Sequence, residues 1–290
     1  NIIKYLCTLV LNSCMEINLI YLIILAITGI GVGFATGLLG VGGGFILVPV
    51  QFFLLQSLGI DPDTAIRIAF GTSLGVMLPT ALSGAYIHYK NSSVLVKPAI
   101  YMGLGGFFGG LMGGFIAAYI PGNILKLLFG FLVFLVVINF LSHKNPEGDR
   151  KKILDFYHLI FYGILAGIAS GLLGIGGGIV LIPIMVILLG FCMIEAVGTS
   201  TAVIILTSVG GIISYAFNGW GVPGLPEYSL GYINILQLVI LTGFSIPMAR
   251  VGAKIAHKFP ENFLRYAFSI ILLYIGLKMI GVFEFLKIPL

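Results

Sequence analysis

From Ile17 to Ile60 the chain runs 44 residues without an Asp, Glu, Lys or Arg. A second such run, Phe156–Ile194, has 39 residues, and a third, Ala196–Pro226, has 31. Shorter ones cover Ile68–Tyr89, Pro98–Leu125, Leu127–His143 and Tyr228–Ala249. A membrane-crossing helix takes about 20 apolar residues, so the two longest runs each call for two segments. Charged residues make up 9% of the chain and apolar ones 59%, where a soluble domain carries about 25% charge. A soluble enzyme, a disordered chain and a collagen-like repeat are excluded. What remains is an all-α polytopic membrane protein.

The formal net charge is +5. The basic residues sit in short connections, where the positive-inside rule accounts for them without a nucleic-acid partner. Cys7, Cys14 and Cys192 have no metal-ligand spacing and form no disulfide framework, so no metal or other cofactor is expected. Residues 1–16 are set apart as an N-terminal extension. Their apolar run after Lys4 is too short to span and lacks a small-residue cleavage site.

The chain is internally duplicated. Gly33–Val50 (GFATGLLGVGGGFILVPV) and Gly167–Ile184 (GIASGLLGIGGGIVLIPI) are identical at 11 of 18 positions, at an offset of 134. Gly71-Thr72-Ser73 repeats as Gly198-Thr199-Ser200 at an offset of 127. Gly113, Ala117, Pro121 and Asn123 return as Gly252, Ala256, Pro260 and Asn262 at an offset of 139. Two repeats follow, 17–142 and 156–290, each with five membrane segments, joined by a charged cytoplasmic linker over 143–155.

In the first repeat the segments are Ile17–Leu38, Gly44–Ser57, Thr64–Tyr89, Val94–Ile120 and Ile124–Leu141. In the second they are Phe156–Leu172, Gly178–Leu189, Ile194–Asn218, Leu230–Lys258 and Asn262–Gly281. If all ten cross, the odd-numbered connections hold ten of the basic residues and the even ones with the termini hold five. Odd loops are then cytoplasmic and both termini external. An odd number of segments per copy makes this a 5+5 inverted repeat, an architecture of secondary transporters whose sites lie between the repeats near the membrane midplane.

Gly42-Gly43-Gly44 and Gly176-Gly177-Gly178 cannot continue a helix comfortably, since each Gly costs about 1 kcal/mol against Ala. They predict helix breaks. A break inside the membrane frees backbone groups that protein, water or ligand must satisfy. Glycine amides together with the N-terminus of the next helix form an anion cradle that needs no Lys or Arg. Close helix packing is the competing reading. It is the one adopted for Gly29, Gly33 and Gly37, for their mates Gly163, Gly167 and Gly171, and for the Gly105/Gly109/Gly113 and Gly106/Gly110/Gly114 stripes.

Thr72, Ser73, Thr199, Ser200 and Thr201 can donate hydroxyl protons to an anion, or cap helices and bond their own backbone. With the six break glycines they form the expected substrate-binding set; no residue is assigned a catalytic role. His88 and His158 are read as interfacial, and Arg250 as snorkelling from a cytoplasmic helix end. Asp61 and Asp63 fall in an external loop. Glu195 is the remaining candidate for a proton relay.

The doubled GxxxGLLGxGGGxxxxP pattern with its following Gly-Thr-Ser resembles the sulfite exporter TauE/SafE family, from Ile17 to about Gly281. The resemblance implies a small sulfur-containing anion: sulfite, sulfoacetate or another organosulfonate for export, with uptake of thiosulfate or another oxyanion known in kind. The expected protein is a secondary carrier in the cell membrane whose repeats rock or slide about the glycine breaks. Its partners would be a small anion and the lipid bilayer, with a homo-oligomer left open. An anion channel would use the same dipoles. An intramembrane serine protease lacks its Ser–His spacing here, and GVGGG lacks the Lys-Ser/Thr of a phosphate loop.

Overall fold

The computed structural model describes residues 2–142, 155–256, 273 and 276–279. The tenth expected segment lies largely outside them, as does the linker except for Asp155.

The first helix, α1 (Ile2–Leu39), stops at Gly40, and α2 (Gly44–Ser57) starts after Gly43. Then come α3 (Pro62–Lys90), α4 (Val96–Tyr119) and α5 (Gly122–Ser142). In the second half α6 (Phe156–Leu173) is followed by α7 (Gly178–Pro183), which opens into a π-helical turn over Ile184–Leu188. The described chain ends in α8 (Met193–Asn218) and α9 (Ile235–Ala256).

Six of these helices contain stretches long and apolar enough to cross a membrane: Leu19–Leu39, α3, α4, α6, α8 and α9. Large apolar side chains such as Ile27, Phe108, Phe161 and Val239 are exposed on their outer faces, as a multi-pass membrane protein requires. With 14 residues, α2 reaches only about 21 Å of the roughly 30 Å hydrocarbon core.

Leu230–Lys258 is not one helix. Ser229–Leu230 (β1) and Ile233–Asn234 (β2) form a two-rung antiparallel hairpin, and α9 begins only at Ile235. The Asn234 carboxamide oxygen accepts from the Gln237 backbone N–H at 2.9 Å. This is an N-cap, and it sets the helix start.

Glycine decides which helices meet. A Cβ added at Gly33 would stand 2.6 Å from the Ser245 Cα, and one at Gly37 would stand 2.8 Å from the Ala249 carbonyl carbon. So α1 lies on α9 at backbone distance. In α4 the doublets serve two faces. Gly105, Gly109 and Gly113 admit Ile160, Ile164 and Ile168 of α6, while Gly106, Gly110 and Gly114 admit Thr207 and Ser214 of α8.

The partner numbers fix direction. Gly29–Leu241, Gly33–Ser245 and Gly37–Ala249 rise together, so α1 and α9 are parallel. Thr72–Asn234, Thr80–Ser245 and Ser83–Ile246 make α3 and α9 parallel too. By the same test α4 runs parallel to both α6 and α8. Between the groups the sense reverses: Phe70 meets Tyr215, Leu74 meets Gly211 and Gly84 meets Thr201, so α3 and α8 are antiparallel. The core is two helix sets, α1/α3/α9 and α4/α6/α8, each drawn from both halves of the sequence. Because α1 and α3 are parallel, α2 must return the chain to the side where α3 begins. Its parity is that of a crossing although its length is not.

Candidate functional site at the paired helix breaks

Both breaks have the same backbone. Gly40, Gly42 and Gly43 have φ of 65°, 89° and 66°; Gly174, Gly176 and Gly177 have 65°, 76° and 82°. This left-handed region is open to glycine and costs other L-residues roughly 1–2 kcal/mol each. Gly43 folds back to within reach of Val32 and Thr36, and Gly177 to Ala166 and Ser170. Each short helix therefore starts well inside the bundle.

The breaks abut. A Cβ on Gly44 would stand 2.5 Å from the Gly174 carbonyl oxygen and 2.7 Å from the Ile175 Cα; one on Gly178 would stand 2.8 Å from the Val41 Cα. Met77 and Ile204, at mid-length in α3 and α8 and equivalent at the offset of 127, close over the glycines. The Met77 sulfur lies 3.2 Å and the Ile204 Cδ1 also 3.2 Å from a Cβ built on Gly42. Both side chains are fully buried.

All five hydroxyl candidates are fully buried, and they divide by task. The Ser73 hydroxyl donates to the Gly174 carbonyl at 2.5 Å, with Phe70 O as a second acceptor at 2.8 Å. The Ser200 hydroxyl does the same toward Gly40 at 2.9 Å and Val197 at 3.0 Å. Each serine thus holds the break of the opposite helix set. Thr72 and Thr199 act within a set: Thr72 Oγ1 accepts from Asn234 N–H at 2.9 Å, and Thr199 Oγ1 from Leu95 N–H at 3.0 Å. They fix the starts of α9 and α4. Thr201 donates to Val197 O in its own helix at 2.7 Å. So the six glycines, Ser73 and Ser200 come together at the breaks, while the two Thr-anchored helix starts flank them.

The structure gives the other polar residues specific partners. His88 is not interfacial: it is fully buried, with Nε2 2.8 Å from the Gly37 carbonyl. Arg250 Nε donates to Ser83 Oγ at 3.0 Å. Glu195 stands in the first turn of α8 and accepts from the Cys192 N–H at 3.4 Å, a capping position. Asp61 caps α3, and Asp63 accepts from Gly122 N–H at 2.9 Å.

Sequence reading passes over Met77, Ile204, Gln51 and Gln237. The two glutamines are fully buried and bonded to each other across α2 and α9 at 3.0 Å. Their available signal was a carboxamide inside a charge-free run, one of several there.

The profile described as "Sulfite exporter TauE/SafE" matches residues 25–279. A probable membrane transporter protein of Methanocaldococcus jannaschii is 36% identical over 266 residues, covering 90% of this chain and 96% of that one. One from Haemophilus influenzae is 29% identical over 265 residues, covering 89% and 98%. Another, from Bacillus subtilis, is 26% identical over 282 residues, covering 90% and 99%. No solved structure matches. The matched span takes in both glycine breaks and the helical segments packed around them, and the relatives are named as transporters and not as enzymes: the chain belongs to the sulfite exporter TauE/SafE family and is a multi-pass membrane transporter.

Proposed function

We propose that the protein is a secondary carrier that moves a small sulfur-containing anion across the cytoplasmic membrane, in the direction of export. Sulfite, sulfoacetate and other organosulfonates are the substrate class, with thiosulfate a further member. The observation that carries this reading is the meeting of two like glycine breaks at the centre of the bundle. Broken helices inside a membrane supply amide donors and helix N-termini to an anion without a fixed positive charge. A neutral cradle also releases its ion readily. The family description supports the sulfur oxyanion. The negative cell interior drives an anion outward.

The two halves of the sequence are read as an inverted repeat with both termini external. The opposed directions of α1/α3/α9 and α4/α6/α8 support this, since equivalent helices fall in opposite sets. The same packing changes what moves. The bodies that rock are the two mixed helix sets, not the sequence halves, and they meet along α3 and α8. The Ser73–Gly174 and Ser200–Gly40 bonds cross that boundary, so each must break for the sets to separate. Met77 and Ile204 form the barrier between the breaks.

The test is flux in proteoliposomes of purified protein, with sulfite, sulfoacetate, thiosulfate and sulfate as exchange partners. Saturable flux stimulated from the opposite side is the expected result, and Gly177→Leu abolishes it in a protein that still assembles. A fully active Gly177→Leu would remove the break from the site. Flux that neither saturates nor responds to the far side would make the protein a channel.

A further inference from the structure

Beside the breaks lies a polar chain that the cradle does not use. Gln51 of α2 donates from Nε2 to the Gln237 Oε1 of α9 at 3.0 Å, and Gln237 donates from Nε2 to the Tyr21 hydroxyl of α1 at 2.5 Å. Both glutamines are fully buried, and Gln51 Oε1 has no hydrogen-bond partner among the described residues. A bare buried acceptor among apolar side chains is costly and calls for an explanation. The fold does not need it: at the equivalent position of the second half stands Met185, also fully buried.

The chain can be written two ways. Amide oxygen and nitrogen are assigned from their bonds, and turning both amides over preserves two internal bonds. Tyr21 then donates to Gln237 Oε1, Gln237 Nε2 donates to Gln51 Oε1, and Gln51 presents its NH2 group where the bare oxygen stood. An oxyanion stabilises that second arrangement, because charge-assisted hydrogen bonds are about twice as strong as neutral ones, and binding selects the orientation it bonds best. Gln51 lies seven residues along α2 from Gly44, about 10 Å of helix. It stands on the side of the break where α3 and α9 begin.

We propose that the Gln51 carboxamide is a binding group for the transported oxyanion, offering it an N–H pair between the glycine breaks and that side of the membrane. This rests on the carrier reading above. It makes the site asymmetric, with a polar hand in the first half only.

The test is Gln51→Met in the full chain, the side chain that the second half carries. Purified wild type and variant are compared in liposomes for half-saturation by thiosulfate, sulfite and sulfoacetate, and in detergent for melting temperature with and without thiosulfate. Loss of one hydrogen bond to a charged group raises half-saturation about tenfold or more, with the maximal rate retained and the thiosulfate-induced rise in melting temperature lost. Without anion the melting temperature holds, because Gln237 Oε1 is bared as Gln51 Oε1 is removed. A purely structural amide gives the reverse pattern, lower stability at unchanged half-saturation, and overturns the proposal. Should Gln51→Met misfold, the double variant Q51M/Q237L removes both amides and is measured alike; if neither assembles, the role is structural and the proposal fails. Wild type that moves none of the three anions defeats the carrier reading itself, and this inference with it.

Discussion

Gly43 and Gly177 occupy equivalent places and share a left-handed backbone, at φ 66° and 82°, yet they should not tolerate alanine equally. Both substitutions incur the left-handed penalty of roughly 1–2 kcal/mol. The surroundings then differ. At Gly43 the new Cβ would stand 2.6 Å from Val32 Cγ1 and 2.8 Å from Thr36 Oγ1, with the Val32 carbonyl at 3.1 Å. Val32 is fully buried and stiff at χ1, and Thr36 is held by its own bond to Val32 O at 2.7 Å, so neither yields easily. At Gly177 the nearest atoms are Ala166 O at 3.2 Å and Ser170 Cβ at 3.4 Å, which need only a small shift. Overpacking of the first kind costs about 1–3 kcal/mol. Gly43→Ala should therefore lie below Gly177→Ala by about that amount. In a chain of this length, each kcal/mol is worth roughly 2–4 °C. Thermal unfolding of the two purified variants in one detergent reads the difference directly. Equal melting temperatures, or Gly177→Ala the lower, would refute the argument that side-chain crowding separates the two breaks.

Ser73→Ala and Ser200→Ala each strip a buried hydroxyl donor from a break carbonyl and should destabilise by similar amounts, about 1–3 kcal/mol. Both should also speed exchange between inward- and outward-facing states, which stopped-flow counterflow measures. Met77→Ala removes the thioether that covers three break glycines. A loss of roughly 2–5 kcal/mol is expected, together with a thiosulfate leak that does not depend on anion on the far side.

The breaks were legible because three glycines in succession, twice, have few other uses inside a charge-free run. The packing stripes were legible for a similar reason: spacing by four puts small residues on one helix face. What spacing could not reveal is which partner each face meets. The α4 doublets look like one glycine-rich surface, and only the three-dimensional arrangement separates an α6 face from an α8 face. The hydroxyls were ambiguous in the sequence because the same Ser or Thr serves a carbonyl, a helix start or a ligand. Ser73 and Ser200 reach 101 and 160 residues along the chain, and no local pattern encodes such a bond. The α8–α9 hairpin was missed because Leu230 and Ile233 extend an apolar run. The turn is set by Gly231 at φ 58° and by the Asn234 cap, signals that hydropathy overrides. His88 was misplaced because a histidine near a helix end resembles an interfacial one until its carbonyl partner, 51 residues earlier, is known.

The mixing of the two halves within each helix set bears on how the protein is made. Helix α1 enters the bilayer with Gly29, Gly33 and Gly37 bare, and the surface that covers them, from Leu241 to Ala253, is synthesised some 200 residues later. At the elongation rates of about 5–20 residues per second, that wait is on the order of ten to forty seconds. Insertion and packing are therefore separate events for this chain. A ribosome that stops at the linker leaves a half in which the Gly29/Gly33/Gly37 face of α1 has nothing to cover it, because α9 has not been made.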